Sequence, residues 1–202
     1  ALGTTRRRYI ELNDQWIDER FSDADGMVFT PTSDLHEIAI AAPKTTDVLC
    51  IRPASVCPGL NLDPTCSGGA IKAAYYSAAF IIRSVTAELL DTDPEEIDVS
   101  NVRRTELGES ATKIGEIVLS DHLSNGAGFV SWLNSHWADV LTRIVSLSEP
   151  TNTFIGALIS EQHRRECDSS GYDCLRQYRN MSFHGLLDWR LGLTLLRCFQ
   201  ST

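Results

Sequence analysis

The chain has 202 residues, of which 43% are hydrophobic, and its formal net charge is −9. This apolar content is enough to build a core, whereas the acidic balance, with a pI near 5.0, argues against a surface that wraps nucleic acid by itself. No apolar run reaches the roughly 18 residues that cross a bilayer, and no signal peptide is recognisable, so we expect a cytoplasmic protein without a membrane partner.

The N-terminal third is typical of β-structure. Short segments rich in β-branched and apolar residues alternate there with Asp, Gly, Pro and Ser turns. The predicted strands are residues 8–12, 27–29, 35–41 and 47–51. We therefore predict that residues 1–66 form a β-rich N-terminal segment of the same domain as the rest of the chain.

A helical pattern begins at Ile71 and continues to Leu89, with apolar residues at spacings of three and four. Residues 91–94 end this helix at a proline. Residues 96–99 and 113–119 then read as two strands, which we expect to pair antiparallel through a turn that contains Gly108.

A glycine-rich turn at residues 125–128 precedes a second predicted helix, whose apolar positions extend from Val130 to Leu147. Such a turn can bind phosphate through backbone N–H groups at the helix N-terminus. The lysine and hydroxyl residue of a phosphate-binding loop are missing, however, so close packing of helix on strand is the alternative that we favour.

The last 50 residues contain two further predicted helices. After Pro150, Thr151 or Asn152 can cap a short helix that includes Phe154 and Leu158 and points toward His163. The final helix is apolar on several faces, which indicates that it lies in the core or docks on another chain or domain. Together these patterns predict an α+β fold with mixed or antiparallel strands, packed helices and a C-terminal Cys/His knuckle.

Six cysteines occur in a chain that lacks a secretory signature, so reduced thiols are expected. Cys50 and Cys198 lie in apolar segments and are predicted to be small buried hydrophobes. Cys167 and Cys174 lie in a polar turn together with His184, and His163 precedes Cys167 by one helical turn. These four side chains are a chemically sound tetrahedral zinc set. The alternative is that hydrogen bonds hold the turn without metal.

The segment C-D-S-S-G-Y-D-C-L-R-Q-Y-R-N, residues 167–180, with H-G-L-L-D-W at residues 184–189, resembles the last cysteine-rich motif of a helicase family. This family is the MrfA zinc-binding domain, the C-terminal domain of MrfA-like and DISARM DrmB-like helicases. Residues 46–53, 73–80, 117–121 and 125–128 resemble its upstream segments. One departure is Gly171, where the family motif usually has a cysteine.

The resemblance implies that residues 67–202 are a helicase-associated C-terminal domain with a zinc-knuckle-like motif. Its expected role is that of a non-catalytic accessory domain in bacterial DNA repair or anti-phage defence, which braces a helicase motor and helps it engage DNA or a partner subunit. No ATP-binding motor motif occurs in the sequence, so ATP hydrolysis by this chain alone is not expected.

The accessory role includes candidate nucleic-acid contacts, and two alternative functions remain open. Four arginines near the knuckle are candidate nucleic-acid contacts: Arg164, Arg165, Arg176 and Arg179. A stand-alone module that bridges proteins and has lost both metal and DNA binding is the main alternative. An enzyme that uses a Cys174–His184 dyad is a third possibility, although the motif favours a structural role for that cysteine.

Overall fold

The computed structural model describes residues 8–12, 15–18, 36–37, 44–108 and 111–200. The chain divides into two compact units, Ala1–Pro43 and Lys44–Thr202. In the first unit, strand β1 (Arg8–Leu12) pairs antiparallel with β2 (Gln15–Asp18) and with β3 (His36–Glu37). The sequence predicted β1 but not β2, and the strand expected at residues 27–29 lies outside the described residues.

Within its described residues, the second unit contains four strands and six helices. The strands are β4 (Val48–Ile51), β5 (Ile97–Val99), β6 (Arg103–Glu106) and β7 (Lys113–Asp121). The helices are α1 (Ala70–Leu90), α2 (Phe129–Ser135), α3 (Trp137–Val145), α4 (Phe154–Ile159), α5 (Glu161–Glu166) and α6 (Trp189–Gln200). A 3₁₀ segment, Tyr178–Leu186, precedes α6. No helix among the described residues is long and apolar enough to cross a membrane.

Strand β7 organises the sheet because β4, β5 and β6 all pair with it antiparallel. This antiparallel sheet with packed helices confirms the α+β class. The expected antiparallel pairing of the strands near residues 97 and 119 is also confirmed. The turn that contains Gly108, however, joins β7 to β6, a strand that the sequence analysis missed because its residues, R-R-T-E, are mostly polar and exposed.

Helix α1 runs through the core of this unit, and its buried residues include Tyr75, Phe80 and Ile82. Helix α6 packs along it. A Cβ atom at Gly192 would lie only 2.8 Å from Ser77 Cβ and 2.9 Å from the Ala78 nitrogen. Glycine therefore allows the two helices to approach closely. Helix α6 lies in the core of this unit, as one of the two sequence-based alternatives expected, and its Leu196 is fully buried.

The glycine-rich turn before α2 is held by a buried carboxylate. Asp121, at the end of β7, accepts hydrogen bonds from the backbone nitrogens of Ala127, Gly128 and Val130 at 2.6–3.0 Å. The positive end of α2 is thus already matched by a negative side chain of the same chain. The turn therefore serves to pack the helix on the strand. The three N–H groups that a phosphate would need at these positions already donate to Asp121.

Two details of the helices and cysteines differ from expectation. The helix predicted between Val130 and Leu147 breaks at His136, whose backbone is non-helical (φ −114°, ψ 18°) and whose Nδ1 lies 2.9 Å from the Trp132 carbonyl oxygen. Leu147 follows the end of α3 and is exposed. Cys50 is exposed rather than buried, because Ile51 is the residue of β4 that enters the core.

We predict that Gly192→Ala destabilises this unit by about 1–3 kcal/mol, since a methyl group at the α1–α6 contact overpacks a well-filled core. Gly185→Ala is the matched control, because a Cβ atom there meets nothing within 4 Å. Urea denaturation followed by circular dichroism measures both free energies of unfolding. Equal midpoints for the two variants would contradict the close contact.

Asp121→Asn is expected to destabilise the fold by about 2 kcal/mol, because the amide removes the charge and presents N–H groups to backbone donors. Asp139→Asn, on an exposed position of α3, is the control. The same denaturation experiment decides the outcome. A loss no larger than that of the control would show that the carboxylate does not hold the turn.

Candidate metal centre

Two short helices position His163. Thr153 caps α4 by accepting a hydrogen bond from the Gly156 nitrogen at 3.1 Å, which corrects the predicted cap at Thr151 or Asn152. Ser160 then caps α5 by accepting one from the His163 nitrogen at 3.2 Å. The chain therefore turns sharply between α4 and α5, and the His163 ring is placed back against the end of α4.

One nitrogen of the His163 ring has a partner and the other has none. Nδ1 lies 2.9 Å from the carbonyl oxygen of Leu158, which can only accept, so Nδ1 carries the proton. Nε2 is buried and makes no hydrogen bond. Metal-ligating histidines adopt this arrangement, in which one ring nitrogen is held by a backbone carbonyl and the other is left without a hydrogen-bond partner.

Two thiols face this histidine. Cys167, at the end of α5, and Cys174 are partly buried, and their sulfur atoms are 3.8 Å apart. This distance is far longer than the ~2.05 Å of a disulfide, so both are free thiols. One nitrogen of His163 and the two sulfurs all lie within 4.8 Å of one another. The structure thus brings together three of the four predicted ligands.

The local electrostatics favour a cation at this position. Burial, and then the neighbouring Cys174 thiol, raise the pKa of the Cys167 thiol. Two thiolates this close repel each other, and a divalent cation between them offsets that repulsion. The Gly171 nitrogen donates a hydrogen bond to Cys174 Sγ at 3.1 Å. Sulfur and imidazole donors suit a thiophilic ion, so this group could hold a metal.

His184, the fourth predicted ligand, is not part of this group. Its Nε2 lies 3.0 Å from the Gln177 carbonyl oxygen and 2.9 Å from Asn180 Oδ1. Asn180 is buried, and its side chain also bonds the Gln177 nitrogen and the Leu175 carbonyl oxygen at 2.8 Å. The sequence suggested His184 because it is a histidine near the motif. In the structure, its Nε2 takes part in the hydrogen bonds that hold the loop at Gln177 and Asn180.

Trp189 connects the segment that carries Cys167 to helix α6 through hydrogen bonds. This role was not predicted from the sequence. Its Nε1 donates to the Cys167 carbonyl oxygen at 3.2 Å, and its backbone nitrogen donates to the Ser169 carbonyl oxygen at 2.9 Å. Its ring lies 5.2 Å from the His163 ring. A tryptophan at the start of a buried helix, soon after a cysteine motif, was the available signal.

The four arginines predicted to contact nucleic acid do not form one cluster of unpaired charges. Arg165 pairs with Glu161, and Arg179 pairs with Glu95 at 2.9 Å. Arg176 Nε donates to Ser170 Oγ at 3.0 Å. Arg164 is exposed and lines a groove between α5 and α6 together with Arg190 and Arg197, two arginines that the sequence analysis did not single out.

Comparison with known proteins gives one informative similarity. The chain is 32% identical over 126 residues to Druantia protein DruE of Escherichia coli (strain UMEA 4076-1). The matched region covers 61% of this chain and 6% of that protein, so the chain corresponds to a small part of it. No protein-family model matches the chain. No solved structure matches it significantly.

Proposed function

We propose that this chain is a non-catalytic accessory domain of an ATP-dependent DNA helicase system in anti-phage defence. The similarity to part of a Druantia protein supports the defence context, and the resemblance of residues 167–189 to a helicase-associated motif supports the accessory role. DNA repair, which the motif also allows, has no support from the comparison. In this proposal the domain gives the helicase system a rigid element that engages a motor domain or subunit.

The proposed structural role depends on zinc held by His163, Cys167 and Cys174. Two observations carry this step: the Nε2 of His163 is buried without a hydrogen-bond partner, and one nitrogen of that ring lies within 4.8 Å of both thiol sulfurs. A buried imidazole nitrogen without a hydrogen bond costs free energy, and coordination removes that cost. Zinc bound here would fix the end of α5 to the loop at residues 171–174.

Protein purified without added metal is expected to contain roughly one zinc ion per chain when measured by inductively coupled plasma mass spectrometry. His163→Ala and Cys174→Ser should lose most of it, because each removes a donor from a small shell. Cys57→Ser is the matched control, since this exposed cysteine lies outside the group. His184→Ala should retain the metal.

Substoichiometric zinc in the unmodified chain would contradict a metal centre. Equal loss in Cys57→Ser would show that the zinc is bound non-specifically by thiols. Loss in His184→Ala that equals the loss in His163→Ala would restore His184 as a ligand.

DNA engagement is the second part of the proposal, and the groove between α5 and α6 favours it. Arg164, Arg190 and Arg197 line this groove together with Trp189, and the Arg190 guanidinium lies 4.5 Å from the centre of the Trp189 ring. The chain as a whole is acidic. Any positive surface that these arginines provide is therefore confined to the groove. Phosphate contacts by such a surface would be weak and strongly dependent on salt.

Fluorescence anisotropy with single-stranded and double-stranded oligonucleotides tests this surface over a series of salt concentrations. Arg164→Ala should weaken binding and lower the slope of log affinity against log salt by about 1. Arg103→Ala is the control, because that arginine lies on β6 and pairs with Glu116 at 3.1 Å. If the unmodified chain retains neither oligonucleotide at low ionic strength, the protein-bridging alternative replaces DNA engagement.

A further inference from the structure

The candidate metal centre has three protein donors, whereas a closed structural zinc site has four. Among the described residues, His163, Cys167 and Cys174 form the only group of three or more potential ligands, and no carboxylate or second histidine joins it. His184 Nε2 is occupied by hydrogen bonds to the loop. A tetrahedral ion at this position would therefore have one site that the described residues do not fill.

A large cavity borders the same group. Its volume is about 850 Å³, and its wall includes His163, Cys167 and Gly171. Gly171 is next to the donors, since its backbone nitrogen bonds Cys174 Sγ at 3.1 Å. A Cβ atom built on Gly171 would meet only the Asp173 nitrogen, at 3.9 Å. The residue beside the ligands therefore leaves open space where a side chain could lie.

The charge of the cavity wall selects among incoming ligands. Three exposed carboxylates line it, those of Glu166, Asp168 and Asp173. They disfavour the entry of an anion, although salt screens part of this effect. A neutral nitrogen donor carries no such penalty, and imidazole is a ligand that zinc accepts readily.

We propose that the fourth coordination position of this centre is open to the cavity and takes an exchangeable neutral donor, solvent in the resting protein and an imidazole when one is offered. This inference rests on the proposed metal centre. The metal ion would then bind an external ligand in addition to stabilising the turn.

Cobalt(II) is the probe, because thiolate–cobalt charge-transfer bands report metal binding and the visible ligand-field bands report the donor set. When the cobalt-loaded, unmodified chain is titrated with imidazole, the ligand-field bands should change until the site is saturated. The charge-transfer bands should remain. Azide at the same concentration should have less effect, because it is an anion. Stronger binding of azide than of imidazole would overturn the proposed selectivity.

Gly171→Cys is expected to abolish the response to imidazole and to strengthen the charge-transfer bands, because it adds a third thiolate where the structure has space. Gly171→Ala is the matched control, since it adds a Cβ atom without a donor and should keep the response. Thermal melts of both variants verify folding. If Gly171→Cys does not fold, the titration of the unmodified chain still decides the question.

The two ways of failing can be told apart. If cobalt gives no charge-transfer band in the unmodified chain, the metal centre itself is wrong. If the band forms but imidazole changes nothing, the metal centre stands and the open position is wrong. A response to imidazole that arises only in His184→Ala would identify His184 as the ligand that fills the fourth position.

Discussion

The close contact between α1 and α6 is the constraint on which the C-terminal half of the second unit depends. Gly192 lets the two helices meet without an intervening side chain, and this meeting fixes the start of α6. Ser77 on α1 accepts a hydrogen bond from the Asp188 nitrogen at 2.7 Å, and Asp188 Oδ1 in turn accepts one from the Arg190 nitrogen at 2.9 Å. The N-terminal end of α6 is therefore tied both to α1 and to its own first turn.

From that anchored helix end, hydrogen bonds pass to the segment that holds the cysteines. Trp189 reaches back to the carbonyl oxygens of Cys167 and Ser169, and the Arg190 guanidinium donates to those of Asp168 and Arg164. The polar turn is thus positioned by hydrogen bonds to its backbone carbonyl oxygens, in addition to the packing of Cys167 and Cys174 against the core. This explains how a sequence with few hydrophobic residues between positions 160 and 174 can keep three donor atoms together.

The arrangement around His163 connects this scaffold to the proposed function. Two helix caps position His163, and one of its ring nitrogens is hydrogen-bonded while the other is buried without a partner. Burying an unpaired polar atom costs free energy, so this arrangement is unfavourable for a residue with only a structural role. The group that this histidine forms with Cys167 and Cys174 could hold a metal ion, and a cavity borders it. The similarity to Druantia protein DruE covers 61% of this chain and 6% of that protein.

The sequence by itself determined the α+β class, the long helix α1, strands β1, β4 and β7, and the association of His163 with Cys167 and Cys174. The elements follow from local periodicity, and the proximity of His163 to Cys167 follows from their spacing of one helical turn. Cys174 was included because it belongs to the same short cysteine motif. Strand β6, the break at His136, the exposure of Cys50 and the separation of His184 from the donor group depended on the tertiary structure. Strand β6 is fixed by its pairing with β7. The position of His184 follows from its hydrogen bonds to Gln177 and Asn180, and a polar segment offers several such partners, so the sequence pattern alone does not select among them.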